Sequence, residues 1–312
     1  MSPQVTVLAG GVGAARFLRG LSSLTDPSRL SVIVNTADDE VFHGLHVSPD
    51  VDTVLYTLAG LVSPKQGWGV RDDSFACLDA LGRFYPETWF RLGDRDLATH
   101  LVRTDWLRRG RTLSAATRHI RESLGVAARV LPMSDDRVRT FVDVEGQGAL
   151  SFQQYLVRDR GAGSVRAIRL RGLRRARPAP GVVAALRRAR IVILPPSNPF
   201  VSIAPILGLP GVRAELRRAA TRTIAVSPII GDAPVKGPLD RMLRGLGHEV
   251  SPVGVARLYQ GLASAFVLDR RDAALADRIA ALGMKPVITD TLMSTPAKSR
   301  RLAEVMLAAM AG

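Results

Sequence analysis

Three carboxylates stand side by side in Thr36-Ala37-Asp38-Asp39-Glu40, directly after the apolar run Leu30-Ser31-Val32-Ile33-Val34-Asn35. Like charges that close repel unless they are solvated, hydrogen-bonded or bridged by a cation. Two more follow in His43-Gly44-Leu45-His46-Val47-Ser48-Pro49-Asp50-Val51-Asp52-Thr53. Oxygen-only donors suit Mg2+, which takes one or two carboxylates plus substrate phosphates rather than an all-protein cage. Asp38, Asp39, Asp50 and Asp52 are therefore the candidate metal ligands. Asp50 and Asp52 also fall where Pro49 opens a helix, and acidic caps are common there in any case. His43 and His46 lack H-E-x-x-H spacing and read as loop hydrogen-bonders or substrate contacts.

The substrate phosphates would sit on a glycine turn near the start of the sequence. Val5 to Ala9 reads as a buried strand, and Gly10-Gly11-Val12-Gly13-Ala14-Ala15-Arg16 leads into an apolar-periodic helix. Strand, glycine turn and helix bring an anion onto free N–H groups at the helix N-terminus. The turn supplies two glycines of G-x-G-x-x-G and puts Arg16 where the third belongs; no Gly-Lys-Ser/Thr follows. A dinucleotide enzyme would also want an acidic residue at the end of the second strand, where this chain has Asn35-Thr36. A NAD-dependent oxidoreductase is disfavoured. A tight turn that binds nothing is the plain alternative.

Two later stretches read as site walls. Trp89-Phe90-Arg91-Leu92-Gly93-Asp94-Arg95-Asp96 precedes Leu97-Ala98-Thr99-His100, and Asp94 could cap a helix on which Asp96, His100 and Arg103 share one polar face. A charged surface helix is the simpler reading of that face. Strand Ile191 to Leu194 runs into Pro195-Pro196-Ser197-Asn198-Pro199, a rigid polar loop suited to a base, ribose or phosphate.

The elements that must position these residues alternate strand and helix over most of the chain. The expected fold is α/β, a doubly wound and mostly parallel Rossmann-like sheet in a single domain, 1–312. At about 127–175 the texture changes to short alternating segments (Arg129 to Leu131, Val138 to Val144, Ala149 to Val157, Val165 to Leu170). These read as a smaller β-rich insertion with an Arg-rich face. Asp72 to Phe84 and Leu113 to Leu124 read as amphipathic helices. The 312 residues are 46% hydrophobic, enough for a large core. No apolar run approaches the ~18 residues of a membrane span, and the single Cys77 allows no internal disulfide. A cytoplasmic protein without a membrane partner is expected. The formal charge of +15 is spread along the chain without a basic-aromatic stripe, so no nucleic-acid partner is expected either.

Together the glycine turn, Asn35-Thr36-Ala37-Asp38-Asp39, His43 to Thr53, Arg91 to His100 and Pro196-Ser197-Asn198-Pro199 resemble one family. It is the 2-phospho-L-lactate transferases of coenzyme F420 biosynthesis. Ala14 and Ala37 stand where that family usually has glycine. The resemblance implies Mg2+, a homodimer, a guanosine diphosphate ester of a three-carbon acid as donor, the deazaflavin alcohol Fo as acceptor, and GMP as leaving group. The candidate catalytic residues are Asp94, Arg95, Asp96 and His100, with Asp94 or Asp96 placed to orient the Fo hydroxyl or take its proton. Substrate binding falls to Gly10, Gly11, Gly13, Arg16, Thr36, His43, His46, Ser197 and Asn198. A related glycine-rich family of non-enzymatic nucleotide-sugar-binding regulators is the competing reading.

Overall fold

The computed structural model describes residues 4–311. The chain opens with β1 (Val5–Ala9) and β2 (Leu30–Val34), then a small hairpin of β3 (Glu40–Phe42) and β4 (Leu45–Val47). There follow β5 (Arg129–Pro132), β6 (Arg139–Val144), β7 (Gly148–Ser151), β8 (Val165–Arg171) and β9 (Ile191–Leu194). The last strands are β10 (Thr223–Val226), the paired β11 (Ile229–Ile230) and β12 (Ala233–Pro234), β13 (Ala265–Asp269) and β14 (Lys285–Thr289).

Seven of these strands form one all-parallel sheet in the order β14-β13-β10-β9-β1-β2-β5. Side chains alternate across it, so each strand feeds two cores. Val5, Val7, Ala9, Val32 and Ile193 pack on one face with Phe17, Leu18 and Leu21 of the helix α1 (Gly11–Leu21) and with Leu302 and Met306 of the C-terminal helix. Leu8, Ile33, Val192 and Phe266 pack on the other, against Leu186, Leu216 and Ile279. Burial on both faces is why these strands read as unbroken apolar runs. From β1 the chain moves outward through β2 to β5, then returns on the far side of β1 as β9. The strand order therefore reverses between β1 and β9, and in open α/β sheets ligands bind at the carboxyl ends flanking such a reversal.

The insertion is smaller than the texture suggests. Arg129 to Leu131 belongs to β5, the edge strand of the main sheet, and only β6, β7 and β8 form the separate antiparallel sheet. An edge strand is half exposed, so its side chains alternate like those of a surface hairpin; those of β5 do so. Ala149 to Val157 divides into β7 and a wide helical turn at Gln154–Arg158. The small sheet has its own core of Val142, Val144, Phe152, Tyr155 and Val165, closed by Met242. Among the described residues no helix is long and apolar enough to cross a membrane.

Three further helices build the site: α2 (Pro49–Leu58), α3 (Ala76–Leu81) and α4 (Asp94–Arg108). The segment expected to be helical from Asp72 to Phe84 contracts to α3, while Leu113–Ser123 forms as expected.

Candidate active site

The loops after β1 and β9 meet over the reversal point, and glycine is what lets them meet. A Cβ on Gly13 would stand 2.3 Å from the Pro196 carbonyl oxygen, and one on Gly10 2.6 Å from Ser202 Cβ. These two glycines serve backbone approach first. Gly11 has φ +74, the left-handed region that glycine enters freely. Ser197 Oγ donates to the Gly10 carbonyl at 2.9 Å and ties the loops together. Asn198 caps the turn Pro199–Ile203, its Oδ1 accepting from Phe200 N at 2.9 Å, while its Nδ2 lies 3.2 Å from Met242 Sδ. Asp50 Oδ1 accepts from Gly11 N at 2.8 Å, so one helix N-terminal N–H is taken; those of Val12 and Gly13 have no acceptor within α1.

Asn35, fully buried at the end of β2, organises the acidic loop. Its Nδ2 donates to Asp38 Oδ2 at 2.9 Å and to Asp50 Oδ2 at 3.0 Å, and its Oδ1 accepts from Ala37 N. Burial, and then the Asp50 charge, raise the Asp38 carboxyl well above the ordinary range. Burial pushes Asp50 up to about 6. Asp38 Oδ1 is buried without a hydrogen-bond partner. Two carboxylates clipped side by side, one with an orphaned oxygen, are a donor set that fits Mg2+ with substrate phosphates completing its shell. Among the described residues no group of three or more His, Cys, Asp or Glu side chains is arranged to hold a metal.

The other two candidate ligands have further partners, although Asp39 Oδ1, like Asp38 Oδ1, is buried without one. Asp39 Oδ2 accepts from Ser48 Oγ at 2.6 Å and lies 3.0 Å from His46 Nε2, which makes His46 a support of the loop. Asp52 is bridged by both terminal nitrogens of Arg103, itself fully buried on α4. Glu40 pairs with Arg139 and accepts from Ser151 Oγ at 3.0 Å, fastening the small sheet onto the acidic loop.

The polar face of α4 is inside the protein. Asp96, His100 and Arg103 are buried against α2. Tyr56 Oη donates to Asp96 Oδ1 at 2.6 Å; His100 Nε2 lies 3.2 Å from the same oxygen, and Arg103 Nη1 lies 3.4 Å from His100 Nδ1. Burial alone would raise the Asp96 carboxyl, but the contacts with His100 and Tyr56 outweigh it and hold it below the ordinary value. The charged-surface reading of this helix is therefore wrong.

Asp94 and Arg95 do something different. Asp94 accepts from Ser74 Oγ at 2.6 Å and from Ala76 N and Cys77 N at 3.0 Å, which caps α3. In return Asp73 accepts from Arg95 N at 2.7 Å and Asp96 N at 3.0 Å, which caps α4. The helices hold each other's ends. Gly93 is required beside them, because a Cβ there would sit 2.1 Å from Asp73 Oδ2.

A cleft of about 820 Å³ opens at this edge of the sheet. Of the candidate residues it is lined by Gly10, Gly11, Gly13, Arg16, Asp38, Asp50, Asp52, Asp96, His100, Ser197 and Asn198. Thr36, Asp39, His43, His46, Asp94 and Arg95 are not among its lining residues. His43 is the positive-φ corner of the β3–β4 hairpin, its ring 4.7 Å from Tyr85. Trp89 and Phe90, from the stretch read as a site wall, line the cleft; sequence reasoning missed Tyr56, Lys236, Trp68 and Phe152, which also line it. That reasoning noticed Asn35 only as an absent acid. Phe90 is fixed from behind by Phe42, stacked at 4.0 Å.

The family model for the 2-phospho-L-lactate transferase CofD matches residues 5–308. The chain belongs to that family. Among the 2-phospho-L-lactate transferase family's members, a phosphoenolpyruvate transferase of Streptomyces griseus is 42% identical over 311 residues, covering 97% of this chain and 98% of its own. A 2-phospho-L-lactate transferase of Methanosarcina acetivorans is 40% identical over 301 residues, with 96% and 97% covered. The fold is shared with a Bacillus halodurans protein of known structure, at a TM-score of 0.65, 17% identity and 98% of this chain covered. As a member of the transferase family the protein is an enzyme of coenzyme F420 biosynthesis.

Proposed function

We propose that this enzyme moves a three-carbon phospho-acid group (phospholactate, phosphoenolpyruvate or a relative) from a guanosine diphosphate ester to Fo, releasing GMP. One observation carries the reading: a single cleft joins the Asp38–Asp50 pair and the glycine turn to a wall of four aromatic side chains. The first half suits a diphosphate with a divalent cation, and the second a flat heteroaromatic alcohol.

In the reaction the Fo hydroxyl oxygen bonds the phosphorus that carries the acid. The bond from that phosphorus to the bridging oxygen breaks, GMP leaves with the electron pair, and the hydroxyl gives up its proton. Such transfers need positioning and charge neutralisation more than covalent chemistry by the protein. Mg2+ held by Asp38 and Asp50 would supply the neutralisation. The Val12 and Gly13 N–H groups and Arg16 receive phosphate oxygens, while the loop of Ser197 and Asn198 faces the guanylyl half. Trp89 and Phe90 flank the deazaflavin ring. Asp96, kept ionised by His100 and Tyr56, orients the hydroxyl from the floor of the cleft. The reading includes a homodimer and a reducing cytoplasm, in which exposed Cys77 stays a thiol.

The test uses purified protein with Mg2+, Fo and each guanylylated acid, with products weighed by mass spectrometry. GMP and an Fo phosphodiester are expected from at least one donor. No GMP from any donor, with folded protein that binds Fo, sinks the proposal.

A further inference from the structure

Three cations that have no ion-pair partner among the described residues line the cleft: Arg16, Lys236 and Arg91, the last lying over the Phe75 ring at 4.0 Å. Arg16 stands in α1 and Lys236 in the loop after β12. Of the 43 Lys and Arg residues only Lys65, Lys236, Lys285 and Lys298 are lysine. Lys298 is paired with Asp290 at 2.9 Å, on the surface. Lys236 is the lysine that reaches the site.

The loop that carries it is tethered at both ends. At one end Gly231 N donates to both carboxylate oxygens of Asp272, at 2.9 and 3.1 Å. At the other, Pro238 packs on Gly161 so closely that a Cβ there would come within 2.8 Å. Between the tethers β11 and β12 pair as a minimal hairpin, and Val235 N donates to the Pro228 carbonyl at 3.1 Å. The tethered loop presents Lys236 to the same cleft that Arg16 lines. Desolvation by the surrounding chain, and then the Arg16 charge, hold the Lys236 pKa below the usual lysine range. Two like charges lining one open cleft make a site for an anion with charge at two neighbouring centres. A lysine serves there as a point charge, an arginine as a fork.

We propose that Lys236 and Arg16 form a two-cation clamp on the diphosphate of the donor. The assignment rests on the transferase reading for the identity of the donor, but the clamp itself is a property of this cleft toward any nucleoside diphosphate. It also divides the work on the phosphates: Asp38 and Asp50 address them through a cation, Lys236 and Arg16 directly.

Calorimetric titration of the full-length protein with GDP, GMP and inorganic pyrophosphate, without Fo, tests it. Lys236→Ala should weaken GDP and pyrophosphate about tenfold, the size of one lost charge-assisted hydrogen bond. GMP should change least, and Lys236→Arg should recover most of the GDP affinity. In turnover, Lys236→Ala should raise KM for the guanylylated donor and leave KM for Fo unchanged. Unchanged GDP affinity in Lys236→Ala, equal weakening of GMP and GDP, or a wild-type protein that binds neither GDP nor pyrophosphate would each overturn the clamp. If the binding pattern holds and no donor transfers its acid, the clamp stands and the transferase reading falls.

Discussion

One amide group, Asn35 Nδ2, donates to both Asp38 and Asp50 and so holds together two carboxylates that repel. The cost appears in their protonation. An aspartate in an unfolded chain titrates near ~3.9. Asp50, pushed up to about 6 in the fold, binds its proton more tightly there than in the unfolded chain. Between those two values the native state holds more protons, so the stability this group contributes falls as pH rises and is lost above about 6. Metal-free protein should show a melting temperature that declines across that window, with Asp50→Asn flattening the decline. Mg2+ should raise the melting temperature more above the window than below it, because a ligating carboxylate must be deprotonated. Equal Mg2+ stabilisation on both sides would remove Asp50 from the metal site. At this scale the sequence was legible in kind: carboxylates in a loop after a central strand point to a cation. The partners of each carboxylate were not, because Ser48 and His46 beside Asp39 and Arg103 beside Asp52 are supplied by tertiary approach.

At the scale of elements, the reciprocal capping of α3 and α4 explains why Arg91 to Asp96 is so densely specified. Asp94 and Gly93 are consumed in joining two helices, while Arg91 and Asp96 reach the cleft. Asp94→Ala should therefore cost about 1–2 kcal/mol of stability, as lost caps do, while kcat with saturating substrates stays close to wild type. Asp96→Asn should do the reverse and lower kcat with little change in melting temperature. A large kcat loss in Asp94→Ala at unchanged stability would return that residue to the chemistry. The run from Trp89 to His100 could be recognised as purposeful from its composition. That one aspartate faces solvent and its neighbour but one faces the site depends on Asp73, which lies 23 residues before Asp96 and gives no local sign of its role. The central strands, by contrast, were legible because burial on both faces writes itself as an apolar run. β5 was misplaced because an edge strand alternates.

For the whole molecule the decisive contact is between the loops after β1 and β9, where Gly13 lies against the Pro196 carbonyl. Backbone on both sides leaves a methyl group nowhere to go. Gly13→Ala should cost about 1–3 kcal/mol, as overpacking does, and should weaken GDP at the same time, since the same displacement widens the crevice. Loss of stability with full GDP affinity would show that the crevice is not the nucleotide site. The pairing of β1 also sets a schedule for the ribosome. β1 is made well before its second neighbour, β9, which begins 186 residues after it at Ile191, in register with Val5. At 5–20 residues per second that is roughly 10–40 s during which one edge of a largely apolar strand has no partner. An unpaired apolar edge is a template for pairing with another chain. The nascent protein must pass this interval shielded, by its own helix α1 or by a chaperone, before the crevice that binds the substrate can exist at all.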